Sequence, residues 1–112
     1  MNLILLSGNS KSNRKWIFDI DSRVSSAFKN TYVQDYSHWK KDNSEIDLKF
    51  ELSQLKKVNK YGLNPYIIFA KSIGTILSLK AINENILKPT ACLFVGFPMA
   101  VINEPDFWSR IG

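Results

Sequence analysis

The stretch Tyr66-Ile67-Ile68-Phe69-Ala70-Lys71-Ser72-Ile73-Gly74 decides the fold. From Tyr66 to Ala70 it is apolar at successive rather than alternate positions. That is the pattern of a strand buried on both faces, and hence central in a parallel sheet. Lys71-Ser72-Ile73-Gly74 reads as a tight turn. The residues beyond it, with Ile76, Leu77, Leu79, Ala81 and Ile82, read as a helix that Lys88-Pro89 brings to an end. A buried strand passing through a short turn into a helix is half of a strand–helix–strand unit, so a further parallel strand is expected after it.

Upstream, Tyr61-Gly62-Leu63-Asn64-Pro65 is a break. The segment before it has two periodicities. Ile46, Leu48, Phe50 and Leu52 alternate as in a strand, whereas Leu48, Leu52 and Leu55 keep helical spacing. Helix is favoured by a capping-box pattern at Ser44 and Asp47, by Glu45 four residues before Lys49, and by Lys56-Lys57 at the end. Ser37 to Asn43 reads as a polar loop, and Thr31 to Tyr36, rich in β-branched and aromatic residues, as a strand. Trp16, Ile17, Ile20, Val24, Ala27 and Phe28 define one face of a helix, with Ser12 or Asn13 placed to cap it. Leu3 to Leu6 is a short buried strand that closes in the polar turn Ser7-Gly8-Asn9-Ser10. Downstream, Ala91 to Phe97 reads as a fourth buried strand, closed by Gly96-Phe97-Pro98. Met99 to Gly112 reads as a loop with one short helix near Phe107 and Trp108.

The alternation predicts an α/β domain over residues 1–112. It is a three-layer sandwich with a parallel sheet of about four strands, order 2-1-3-4, and helices on both faces. That order sets the C-terminal ends of the first and third strands side by side at a topological switch point, where open α/β sheets bind ligands. The turns Ser7-Gly8-Asn9-Ser10 and Lys71-Ser72-Ile73-Gly74 meet there.

Composition narrows the function classes. The chain has 112 residues, 45% hydrophobic, enough for a core and against disorder. No apolar run approaches the ~20 residues that span a bilayer, and the start has neither a basic leader nor an h-region. With a single cysteine, Cys92, and a single histidine, His38, neither an internal disulfide nor a thiolate or histidine-rich metal centre can be built. A cytoplasmic, soluble protein with no membrane partner is the expectation. The net charge of +5 comes mostly from lysines scattered along the chain. The small groups Lys56, Lys57, Lys60 and Lys40, Lys41 fit a helix end and a loop, so nucleic acid is not an expected partner.

Ser72 is the residue on which chemistry can be argued. A serine on a sharp turn between a buried strand and a helix has its hydroxyl lifted above the sheet edge. Residues two before and two after must be small for strand and helix to approach, and Ala70 and Gly74 satisfy that. The helix start behind it directs free N–H groups at the hydroxyl, so the amide of Ile73 would face a developing oxyanion. A serine there also serves as an ordinary N-cap, and both roles stand at this point.

With Ala70-Lys71-Ser72-Ile73-Gly74 placed in this way, most of residues 3–98 resembles the N-terminal half of small serine hydrolases of the α/β-hydrolase family. Alanine replaces the commoner first glycine of the nucleophile elbow. The resemblance implies acyl-ester or amide hydrolysis of a small molecule without a cofactor, with Ser72 as nucleophile. Gly8-Asn9-Ser10 sits where the family often carries a His-Gly motif, with Ser7 in place of that histidine. This implies the backbone N–H of Asn9 as the second oxyanion donor beside that of Ile73, with Gly8, Ser10 and Lys71 bordering the substrate. The family order is serine, acid, histidine. No histidine follows Ser72, His38 is not the family's base, and Glu104 and Asp106 lie too early to be assigned as its acid. The resemblance therefore implies an incomplete hydrolase fold, weak or inactive alone. Its last strand would be open to self-association or to a missing C-terminal half. Lys71 as a substitute base is disfavoured, since neighbours on such a turn diverge.

Two alternatives remain. Ser7-Gly8-Asn9-Ser10-Lys11-Ser12 offers hydroxyls and amides at a helix N-terminus and looks somewhat like the phosphate loop of flavodoxins, which implies FMN or phosphate binding. The other is a non-catalytic interaction module using the open sheet edge, with Phe107 and Trp108 as anchors.

Overall fold

The computed structural model describes residues 1–41 and 45–97. Its elements are β1 (Asn2–Leu6), α1 (Ser12–Val24), β2 (Thr31–Val33), α2 (Leu48–Val58), β3 (Tyr66–Lys71), α3 (Ile73–Asn83) and β4 (Ala91–Val95). Short 3-10 turns occupy Ser25–Ala27, Ser37–Lys40 and Asn59–Tyr61. The four strands form one parallel sheet in the order β2-β1-β3-β4, as the alternation predicts. Leu3 pairs with Thr31 on one side and Ile67 on the other, and Leu6 with Ala70. Thus β1 and β3 are the inner strands; the residues of β1 are all buried, whereas in β3 Ile67 and Phe69 are only half-buried, so the expected burial on both faces holds for β1 and not for β3.

Right-handed crossovers place α1 on one face, because β1 to β2 steps leftward, and α2 and α3 on the other, because their connections step rightward. Side chains agree. Ile20 and Val24 of α1 face Leu3, Leu5, Ile67 and Phe69 across an apolar cleft, and Trp16 lies 6.1 Å from the Phe69 ring. On the opposite face Tyr66, Ile68 and Ala70 are buried together with Leu52, Leu55, Val58, Leu77 and Ala81 in the main core.

Several details differ from expectation. The second strand stops at Val33, although the amide of Gln34 still reaches the carbonyl of Leu5. The segment Ser37–Asn43 is not simply a polar loop, since its first part is a 3-10 turn that buries His38 and Trp39. Neither Ser12 nor Asn13 caps α1. Lys11 takes that position without a side-chain cap, while Asn13 turns inward and donates to Ser10. The helical reading of α2 holds, with Asp47 as its N-cap accepting from the Phe50 amide at 3.1 Å. The proposed capping residue Ser44 is outside the described residues.

The fourth strand is parallel and in place but not buried. Leu93 is 59% and Val95 41% exposed, because β4 is the sheet's edge and α1 packs over β1 and β2. Cys92 is a free, exposed thiol. The expected tail helix near Phe107 and Trp108, with Glu104 and Asp106, lies outside the described residues. No helix among those described is long and apolar enough to cross a membrane.

Candidate functional site

β1 and β3 are hydrogen-bonded neighbours whose chains depart into different connections, so their C-terminal ends form the switch point and bring the two turns together. Ser72 stands at the tip of β3, and α3 begins at Ile73. Its backbone has φ 53° and ψ −120°, a conformation an L residue adopts only when the surroundings impose it. Two features impose it. The Ser72 amide donates to the Val95 carbonyl at 2.9 Å, holding the residue to the end of β4. Gly74 lies against β1 so closely that a Cβ there would sit 2.6 Å from the Leu6 carbonyl oxygen and 2.8 Å from that of Ser7. Strand and helix can meet at this angle only with no side chain at position 74, as the small-residue argument requires.

The hydroxyl of Ser72 is not used as a cap. The residue occupies the N-cap position, yet its side chain accepts no helix amide. Instead the Thr75 amide and hydroxyl donate to the Ser72 carbonyl, at 2.9 and 2.6 Å. Among the described residues none hydrogen-bonds Ser72 Oγ, and none accepts the amides of Ile73 or Asn9. A half-buried hydroxyl and the orphan amide of a helix start therefore stand together at the end of an inner strand.

The first turn is organised around Asn13, a buried amide. Its Nδ2 donates to Ser10 O at 3.2 Å and Ser10 Oγ at 2.8 Å, and its Oδ1 accepts from Lys71 Nζ at 2.9 Å. Gly8 lies over it, and a Cβ on Gly8 would meet the Asn13 Nδ2 at 2.8 Å. Lys71 also places its ammonium 4.4 Å from the centre of the Trp16 ring, on the α1 face. That ammonium ties the two turns together. Ser10 is exposed, but its hydroxyl is shared between Asn13 and Ser12. The turn's polar side chains thus bond one another, an arrangement that does not by itself favour the phosphate-loop alternative.

Sequence reasoning missed the segment after β2. Tyr36 Oη donates to Ser7 O at 2.9 Å, and His38 Nε2 and Trp39 Nε1 both meet Asn9 O, at 2.5 and 3.2 Å. The three rings are buried against one another, Tyr36 stacked on His38 and Trp39 tilted against both. Burial, reinforced by the charge of Glu51, pushes the Tyr36 phenol well above its ordinary value, so it remains a donor at any ordinary pH. Glu51 itself is buried on α2. It accepts from Gln34 Nε2 at 2.8 Å and from the Ser37 amide and hydroxyl at 3.2 Å, which ties α2 to this segment. The available signal was the aromatic content of Tyr36-Ser37-His38-Trp39, unusual for a solvated loop.

Among the described residues no cluster of His, Cys, Asp and Glu could hold a metal ion. No protein-family model, curated protein or solved structure matches the chain.

Proposed function

We propose that the chain is a serine acyl hydrolase of the α/β-hydrolase type, with Ser72 as nucleophile. The observation that carries this reading is the backbone of Ser72. A non-glycine residue at φ 53° between an inner strand and a helix, its half-buried hydroxyl free of any cap, is a costly arrangement that a nucleophile elbow would account for. In acyl transfer Ser72 Oγ would attack the substrate carbonyl carbon. The negative charge that develops on the carbonyl oxygen would be met by the amides of Ile73 and Asn9. No described residue contacts Oγ to take its proton, so the hydroxyl is a weak nucleophile, and slow acylation by unactivated esters is expected.

A fluorophosphonate, which reacts by forming an Oγ–P bond and losing fluoride together with the hydroxyl proton, supplies the test. Labelling of wild type that Ser72→Ala abolishes, mapped by peptide mass to position 72, is the expected result. No labelling, or equal labelling of Ser72→Ala, refutes the reading.

A further inference from the structure

Oxyanion donors on a loop are useful only if the loop's carbonyls are kept out of the site, because a C=O facing the developing charge would repel it. In the Ser7–Ser10 turn two carbonyls are taken up by the segment Tyr36–Trp39. Tyr36 Oη takes the Ser7 carbonyl, and His38 Nε2 and Trp39 Nε1 together take the Asn9 carbonyl. Asn9 is held a third time through its side chain, whose Oδ1 accepts the Ile46 amide at 2.8 Å.

We propose that His38 and Trp39 are positioning residues that fix the Asn9–Ser10 peptide so that the Ser10 N–H, and not the Asn9 carbonyl, faces the Ser72 side and stands as a further donor next to the Asn9 N–H. The sheet order supports the direction. β1 lies between β2 and β3, and His38 and Trp39 follow β2, so the Asn9 carbonyl is drawn to the β2 side. In a trans peptide C=O and N–H point oppositely, which turns the Ser10 N–H toward the β3 side, where Ser72 stands.

His38 is more than packing. A carbonyl can only accept, so the contact fixes the proton on Nε2, and Nδ1 is then buried with no partner. An apolar ring would fill the same space without that orphaned acceptor, so what the position needs is a donor. The inference rests on the hydrolase reading above for its purpose, but the clamp itself can be measured separately.

The experiment compares the whole chain with His38→Leu, His38→Gln, which restores a donor near the Nε2 position, and Trp39→Phe, which keeps the ring and removes the donor. Fluorophosphonate labelling is resolved into a maximal rate and a half-saturating concentration, with circular dichroism confirming the fold. Amide resonances of Asn9 and Ser10 are followed without probe. His38→Leu and Trp39→Phe are expected to lower the maximal rate about tenfold with little change in half-saturation, as misplaced catalytic groups do. Their Asn9 and Ser10 resonances should shift, and His38→Gln should recover most of both effects. Variants labelled at the wild-type rate, or His38→Gln as impaired as His38→Leu, overturn the positioning role. Unmoved Asn9 and Ser10 resonances overturn the clamp alone. Absence of labelling in wild type overturns the hydrolase reading, and with it the clamp's catalytic purpose.

Discussion

Gly74→Ala places a methyl group where the fold has none to spare. On α3 alone the change would be mildly favourable, since alanine is preferred over glycine by about 1 kcal/mol in a helix interior and by less in the first turn, where Gly74 lies. The new Cβ, however, would sit 2.6 Å from the Leu6 carbonyl oxygen and 2.8 Å from that of Ser7, and real Cβ atoms essentially never come within 3.0 Å of such neighbours. Both obstacles are backbone, at the last residue of β1 and the one after it, and β1 is hydrogen-bonded on both sides, so neither can swing aside as a flexible side chain would. Relief requires α3 to back away from the sheet by about half an ångström, loosening Leu77 and Ala81 in the core. Overpacking of this kind costs ~1–3 kcal/mol, and with a first-turn helix gain of only a few tenths of a kcal/mol set against it, a net loss of about 1–2 kcal/mol is expected. For a domain of this size that lowers the thermal midpoint by roughly 4–8 °C. Melting curves and urea titrations followed by circular dichroism read it directly. Gly62→Ala, at φ 65° with no atom within 4 Å of its Cβ, provides a comparison that tests backbone strain without collision. A Gly74→Ala protein that melts at or above the wild-type temperature would refute the close approach of α3 to β1, and the geometry of the Ser72 turn with it.

Other expectations follow from the same contacts. Ser72→Gly should stabilise the fold by about 1 kcal/mol relative to Ser72→Ala, because glycine alone adopts the positive φ without steric cost, and equal urea midpoints would show that the turn is unstrained. Glu51→Leu should destabilise by about 2 kcal/mol, since it leaves the Gln34 amide and the Ser37 donors without an acceptor in the core; an unchanged denaturation curve would contradict this. The Tyr32 phenol is pushed up to about 12, chiefly by burial, then by Tyr61, Glu51 and Asp35. The unfolded chain releases that proton near pH 10, so the contribution is complete below pH 10 and is lost as pH rises toward 12. Ultraviolet phenolate titration of wild type against Tyr32→Phe should show that late-ionising group missing from the variant.

The chain's path through the sheet is legible wherever burial on both faces leaves its mark on successive residues. Leu3 to Leu6 is such a run, and Tyr66 to Ala70, apolar throughout although Ile67 and Phe69 are only half-buried, is the other inner strand. The same rule misleads at Ala91–Val95. An edge strand facing the solvent can be as apolar as an inner one, and nothing local to Leu93 distinguishes them. Ser72, Ala70 and Gly74 are legible as a turn because three short-range requirements coincide on neighbouring residues. The roles of Asn13, His38 and Trp39 are not, because each depends on contacts across long separations, such as His38 with Asn9 and Lys71 with Asn13. A polar residue of this kind looks the same in a sequence whether it faces solvent or meets a distant carbonyl.

The outer margin of β4 has a practical consequence for handling the protein. Its main-chain donors and acceptors have no neighbouring strand among the described residues, and the oily side chains of Leu93 and Val95 lie alongside them. Such a rim can nucleate stacking of one molecule upon another, and the net charge of +5 opposes it. That repulsion reaches about 10 Å at 0.1 M salt but only about 3 Å at 1 M. Concentrated stocks should therefore cloud on salting, and a lysine introduced at Leu93 should keep them clear.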